Sequence, residues 1–378
     1  MRRLALSDEI LLKVDKAARY IGGEVNSVMK DKNEVDIRFA MCFPDVYEIG
    51  MSNLGMMILY NMFNQREDVW CERLFSPWPD LDKVMREKKI PLFALESQEP
   101  IRDFDFLGIT IGYEMCYTNI LQVLDLSGIP LKSADRGEDF PIVIGGGACA
   151  YNPEPLAPFF DLFYIGEGET VYDALFDAYK ANKKAGGSRK DFLLAAAKIP
   201  GIYVPSLYEV TYKEDGTIAS FAPTVDDVPE KVQKQLIIDM EKEYRAVETP
   251  VVPHIKATQD RVTLEIQRGC IRGCRFCQAG MIYRPTRERD VETLKESARI
   301  MLKNTGHEEI SLSSLSSSDY SQLKELVNFL IEEFHGKAIN ISLPSLRIDA
   351  FALDVMSKVQ DVKKSSLTFA PEAGSQRL

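Results

Sequence analysis

The sequence predicts an α/β protein in two successive parts, a parallel sheet covered by helices followed by a partial (β/α) barrel. Three observations carry this expectation. Short apolar runs alternate with helical periodicity through the first half; the alternation resumes with barrel rhythm after residue 258; and three cysteines crowd into one loop directly after the run Val262 to Ile266. Such alternation builds parallel sheets with helices on both faces, and ligands sit at the carboxyl ends of the strands.

In the first part, strands are predicted at Val35–Phe43, Phe106–Ile111, Ile142–Ile144 and Leu162–Ile165, and helices at Met51–Asn64, Asn119–Leu126 and Thr170–Lys183. Leu207–Tyr212 and Ile218–Phe221 read as hairpin arms around the turn Glu214-Asp215-Gly216-Thr217. Pro223 to Pro253, charged and punctuated by prolines, reads as a linker. In the second part, strands are predicted at Val262–Ile266, Glu309–Leu312, Ala338–Leu343 and Ser366–Phe369. Helices are predicted at Val291–Leu302, with Asp290 as N-cap, and at Tyr320–Phe334, whose apolar positions form one core-facing stripe. The expected domains are a helical extension over residues 1–34, a sheet domain over 35–200, a hairpin connector and linker over 201–257 and a barrel core over 258–378. The chain is expected to stop just inside the helix after the fourth barrel strand, as a fragment of a longer barrel.

The composition, 45% hydrophobic and 27% charged over 378 residues, is that of a globular chain with room for more than one core. No run approaches a membrane span, and Met1-Arg2-Arg3 is followed by no signal-peptide core, so a cytoplasmic protein without a membrane partner is expected. Cys42, Cys71, Cys116 and Cys149 are scattered singly and are expected to be buried apolar thiols rather than a disulfide framework. A net charge of −11 disfavours a general nucleic-acid binder. Locally the balance reverses, with Arg268, Arg272, Arg275, Arg284, Arg287 and Arg289 around the cysteine loop. These arginines either offset nearby negative charge or receive an anionic ligand, a cofactor carboxylate or an RNA substrate.

Cys270, Cys274 and Cys277 stand in a C-x-x-x-C-x-x-C loop, with His254 and His307 outside it. Structural zinc takes four ligands, usually as two pairs, and fits this spacing poorly. Three thiolates instead suit a cubane iron–sulfur cluster whose fourth iron stays open to a small molecule.

With Phe276 just before the third cysteine, the loop resembles the cluster signature of the radical S-adenosylmethionine (SAM) enzymes. The resemblance implies a 4Fe–4S cluster on Cys270, Cys274 and Cys277, SAM chelated at the open iron, its one-electron cleavage to a 5′-deoxyadenosyl radical, and a reductant such as flavodoxin or ferredoxin. Phe276 is then a candidate SAM contact. Where relatives end the second strand in a Gly-Gly-Glu-type segment for the SAM amino group, Ser313-Ser314-Leu315-Ser316-Ser317-Ser318-Asp319 stands here. Ser313 and Ser316 are the candidates there, beside the reading that the loop only caps a helix. Arg347 is a candidate for the SAM carboxylate, beside a surface ion pair. Glu372, Gly374 and Ser375 resemble the family's ribose-contacting segment.

The first part resembles the Rossmann-like cobalamin-binding domain that precedes the barrel in one radical SAM subgroup, on Gly145-Gly146-Gly147, on Gly166-Glu167-Gly168-Glu169 and on the loop from Asp45 to Gly50. In cobalamin folds a D-x-H-x-x-G loop offers a histidine to cobalt. Here Asp45 and Gly50 match, and Tyr47 stands at the histidine position. A phenol is a poor cobalt ligand, and His254, His307 and His335 are expected outside this domain. The resemblance then implies cobalamin held without a lower protein ligand, or a domain kept as a scaffold. A methyltransferase is the expected activity. A cobalamin-independent, methylthiotransferase-like RNA modifier and a non-catalytic cluster-binding module are the alternatives.

Overall fold

Strand β1 (Ile37–Phe43) is buried along all seven of its residues, as a strand covered on both faces must be. The computed structural model describes residues 4–347, 369–370, 374–375 and 377. These residues form two compact units, one of residues 1–237 and 253–258, the other of 238–252 and 259–378.

In the first unit a six-stranded sheet has the order β2-β1-β3-β4-β5-β6, with β2 at Val69–Phe75, β3 at Phe106–Thr110, β4 at Ile142–Gly146, β5 at Leu162–Tyr164 and β6 at Ile202–Tyr203. All pairs are parallel except β5 with β6. The first five strands follow the doubly wound order whose direction reverses between β1 and β3, which puts the ligand crevice of such folds at their carboxyl ends. Helices α1 (Asp8–Leu11), α2 (Tyr47–Gly50), α3 (Leu54–Asn64), α4 (Pro79–Lys88), α5 (Tyr117–Leu126), α6 (Tyr172–Lys184) and α7 (Arg189–Ala196) complete the unit. The helix expected over Met51–Asn64 starts instead at Leu54, because Asn53 accepts from Met56 N at 2.8 Å and caps it, and the short helix α2 precedes it.

Strand β2 escapes a hydrophobic-pattern reading because Glu72 and Arg73 stand at its middle. Both are fully buried. Arg73 donates to Glu24 Oε2 at 2.7 Å and to Glu96 Oε1 at 2.6 Å, and Glu72 receives Arg38 Nη2 at 2.6 Å and Ser97 N at 2.9 Å. Two charges can stand inside a sheet only with partners of this kind. The hairpin of β7 (Tyr208–Tyr212) and β8 (Ile218–Pro223) forms around the expected turn, with Gly216 at φ +80°.

In the second unit, β9 (Val262–Glu265), β12 (Glu309–Ser313) and β13 (Asn340–Ser342) form a parallel sheet in the order β13-β12-β9. Between β9 and β12 lie β10 (Gln267–Arg268), antiparallel to β11 (Arg287–Glu288), and helices α8 (Gln278–Ile282) and α9 (Val291–Thr305). Asp290 caps α9 as expected, accepting from Glu292 N at 2.8 Å. Helix α10 (Leu323–Glu333) buries Leu326, Val327 and Leu330 in one core with Leu264, Leu294 and Ile310. The third predicted strand forms as β13 within its expected bounds, and a further short strand, β14 (Leu346–Arg347), pairs in parallel with β15 (Phe369–Ala370).

Candidate active site

Register sets the site of the second unit. Leu264 pairs with Leu312 and Glu265 with Ser313, and Ile266 N donates to Ser313 O at 3.0 Å, so the loops leaving β9 and β12 start side by side. The cysteine loop begins at Gly269, whose φ of +81° and whose place 2.6 Å from Pro285 O (measured from where a Cβ would stand) exclude any side chain. Cys270 Sγ accepts from Arg272 N at 3.5 Å, and Cys277 Sγ, at the N-cap of α8, accepts from Gly280 N at 3.3 Å. Cys270, Cys274 and Cys277 are all half-buried, and Phe276 is exposed at 73%.

Among the described residues no three or more His, Cys, Asp and Glu converge as ligands of a single ion. A cluster takes each thiolate at a separate iron, so its thiols need not meet at one point. Three thiols in one loop, two of them accepting from main-chain N–H groups, are a donor set that fits a cluster. Gln267, two residues before the loop, donates through Nε2 to Ser316 O at 2.8 Å, while its buried Oε1 meets no partner among the described residues. A buried acceptor left open beside the loop suits a donor-bearing ligand.

Ser316 is fully committed: its Oγ donates to Asp319 Oδ2 at 2.7 Å, and the residue is 2% exposed. The expectation that its hydroxyl faces a cofactor is therefore corrected. Ser313 is half-buried at the end of β12. Arg347 lies on β14 with its backbone in register with Ala370, and Gly374 and Ser375 are exposed. Glu372 lies outside the described residues. Of the arginines, Arg289 stacks on Tyr244 at 4.3 Å, Arg268 binds Glu265 and Arg272 binds Asp319. Pairing with a carboxylate thus accounts for Arg268 and Arg272.

In the first unit the expected ligand-facing residues divide. Tyr47 is 1% exposed, its phenol donates to Glu24 Oε1 at 3.0 Å, and burial together with that carboxylate pushes its pKa up. Its side chain belongs to the core, and the expectation that it meets a ligand is corrected. A Cβ on Gly50 would stand 2.1 Å from Phe75 Cε1, and one on Gly145 would stand 2.6 Å from Phe163 Cδ1. These two glycines serve ring packing. Gly146 and Gly147 do lie at the open carboxyl edge, Gly147 at φ +106° with its Cβ position 2.9 Å from Ile111 O. Across the β1/β3 reversal the Tyr113 hydroxyl donates to Asp45 Oδ2, and Tyr113, Glu114 and Met115 are exposed beside it. Tyr113 has no periodicity signal to flag it; only the strand order makes it a crevice residue.

His254 was expected outside this domain. It lies in the first unit, with its main-chain N–H 3.2 Å from the Tyr47 hydroxyl and Nε2 3.2 Å from Gly22 O. Cys42, Cys71, Cys116 and Cys149 are buried thiols as expected, and burial lifts Cys149 to about 11. Among the described residues no helix is long and apolar enough to cross a membrane.

The second unit is thus a β/α barrel sheet with a thiol loop at the carboxyl end of its first strand. Residues 264–378 match the radical SAM superfamily, and residues 55–205 match the N-terminal region of radical SAM proteins. An uncharacterized protein of Methanocaldococcus jannaschii is 28% identical over 340 residues, 90% of this chain and 61% of its own length. A second protein of that organism, provisionally named a methylthiotransferase, is 29% identical over 126 residues, 31% of this chain and 27% of its own length. The radical SAM methyltransferase TsrM of Kitasatospora setae, solved with cobalamin and a 4Fe–4S cluster, is similar at 13% identity and a TM-score of 0.48 over 86% of this chain and 57% of that one. The chain therefore spans less than two thirds of the length of each of these proteins.

Proposed function

We propose that the protein is a radical SAM enzyme in which Cys270, Cys274 and Cys277 hold a 4Fe–4S cluster and the first unit takes cobalamin, for methyl transfer to an unidentified substrate. The observation that carries the reading is the three-thiol loop at the carboxyl end of β9, where barrel enzymes place their chemistry. When bound, the cluster supplies the electron that cleaves SAM at an open iron, and cobalamin supplies a methyl carrier.

The chain's own residues have positional roles. Main-chain N–H groups of Arg272 and Gly280 support the thiolates of Cys270 and Cys277. Gln267 Oε1 is an acceptor for the SAM ammonium, and the exposed Phe276 ring offers a face to the adenine. Arg347, Ser375 and Glu372 are assigned to the carboxylate and the ribose from the family resemblance. In the first unit, Gly146 permits close approach to a cofactor tail at the crevice, Gly147 seats its turn against the Ile111 main chain, and Asp45 with Tyr113 marks the wall. The support for cobalamin is the strand order and the open glycine edge.

A second reading, a cobalamin-independent methylthiotransferase, is favoured by the match to the second archaeal protein. Against it, Cys42 and Cys71 are wholly buried on β1 and β2 and offer no second cluster site. The deciding experiment is anaerobic reconstitution of the full-length protein with iron and sulfide, then with hydroxocobalamin. Bound cobalamin and a methylated product support the first reading, and cluster loading without cobalamin uptake moves it to the second.

A further inference from the structure

We propose that Asp319 is a positioning residue for the cysteine loop, acting through Arg272. Arg272 stands between Cys270 and Cys274, and its own N–H donates to Cys270 Sγ at 3.5 Å. Its guanidinium makes a two-pronged contact with Asp319, Nε to Oδ2 at 3.0 Å and Nη2 to Oδ1 at 2.6 Å. The Asp319 side chain is only 8% exposed, so this is not a loose surface pair. Ser316 Oγ donates to the same carboxylate, and Ser316 O receives Gln267 Nε2.

The result is a closed ring. It leaves the backbone at Gln267, passes through Ser316 and Asp319 into Arg272, and returns along the chain through the first cysteine. On the far side Ser317 Oγ donates to Pro344 O at 2.6 Å, which ties the β12 loop to the stretch after β13. A fork onto a carboxylate fixes the plane of a guanidinium as a point charge cannot, so the ring sets the path of the backbone between Cys270 and Cys274. The serine-rich segment that replaces a glycine-rich one after β12 thereby holds the thiol loop in place before any cluster binds. Only the link to a cluster rests on the proposed function; the ring itself does not.

The test uses the full-length protein with Asp319→Asn, Arg272→Lys and the double substitution. In metal-free protein, amide hydrogen exchange over residues 270–277 is expected to quicken about tenfold in each single variant, with little further change in the double. In cluster-loaded protein, the midpoint potential and the response of the reduced cluster's paramagnetic spectrum to SAM are expected to shift in both single variants. Exchange within about twofold of wild type, or effects that simply add in the double variant, overturns the proposal. Failure of wild type to take up iron overturns the functional reading instead and leaves the exchange result standing. Should Asp319→Asn fold poorly, Arg272→Lys carries the same test from the more exposed side of the pair.

Discussion

The phenol of Tyr47 donates to Glu24 Oε1 at 3.0 Å, and Glu24 in turn receives Arg73 Nη2 at 2.7 Å. The residue standing where a cobalt-ligating histidine would stand is thus turned into a buried ionic network. A cofactor in the crevice of the first unit meets no side chain at that position. His254 Nε2, 3.2 Å from Gly22 O, is the one imidazole in that unit. Bound Co(II) is therefore expected to show no nitrogen splitting from the protein, and His254→Ala should leave its paramagnetic spectrum unchanged. Splitting that follows isotopic labelling of the histidines would contradict this.

The Arg73 network makes a stability prediction. Arg73, Glu24 and Glu96 are fully or almost fully buried, and Tyr60 also donates to Glu96 at 3.0 Å. Glu96→Ala strands part of a buried guanidinium and should cost about 3–5 kcal/mol in urea unfolding of the first unit. Tyr47→Phe removes the hydrogen bond to the charged Glu24 and the one accepted from His254 N, and should cost about 1.5–3 kcal/mol. A loss below about 0.5 kcal/mol for Glu96→Ala would mean that the network contributes little.

Glu48 gives a pH dependence. Burial alone would raise its pKa, but hydrogen bonds from Arg19 at 2.8 Å and Lys16 at 2.9 Å prevail and hold it at about 2, below the ordinary 4.5. A folded-state value depressed in this way stabilises the protein fully above the unfolded value and is lost as pH falls through the folded one. Unfolding followed by circular dichroism should thus show stability falling between pH 4.5 and about 2, with a shallower fall for Glu48→Gln. An unchanged slope in the variant would remove Glu48 from the acid limb.

Cys277→Ser separates cap from ligand. Serine also accepts at an N-cap, so α8 should persist, whereas the iron content of the reconstituted protein should fall sharply. Full iron and sulfide in that variant, or in a Cys270/Cys274/Cys277 triple alanine variant, would mean that the cluster is held elsewhere.

Much of this was legible in the chain. Periodicity located β1, β3, β9, β12 and the cap at Asp290, and the turn chemistry of Asp215-Gly216 located the hairpin. β2 was not legible, since Glu72 and Arg73 break an apolar run and their partners, Glu24, Arg38 and Glu96, are distant in sequence. Glycines misled in the same way. Gly50 and Gly145 belong to glycine patterns that suggest ligand approach, but Gly50 ends α2, Gly145 lies within β4, and the rings of Phe75 and Phe163 fill the space where a side chain would go. Tyr113 and Asp319 were invisible as site residues because strand order and a loop-to-loop ion pair, not local pattern, give them their roles.

The most direct test of the account is SAM cleavage by the full-length, reconstituted and reduced protein. With dithionite and SAM, 5′-deoxyadenosine should accumulate in wild type and be absent from the triple alanine variant of Cys270, Cys274 and Cys277. Intact SAM with a fully loaded cluster, or equal cleavage by the variant, would contradict it.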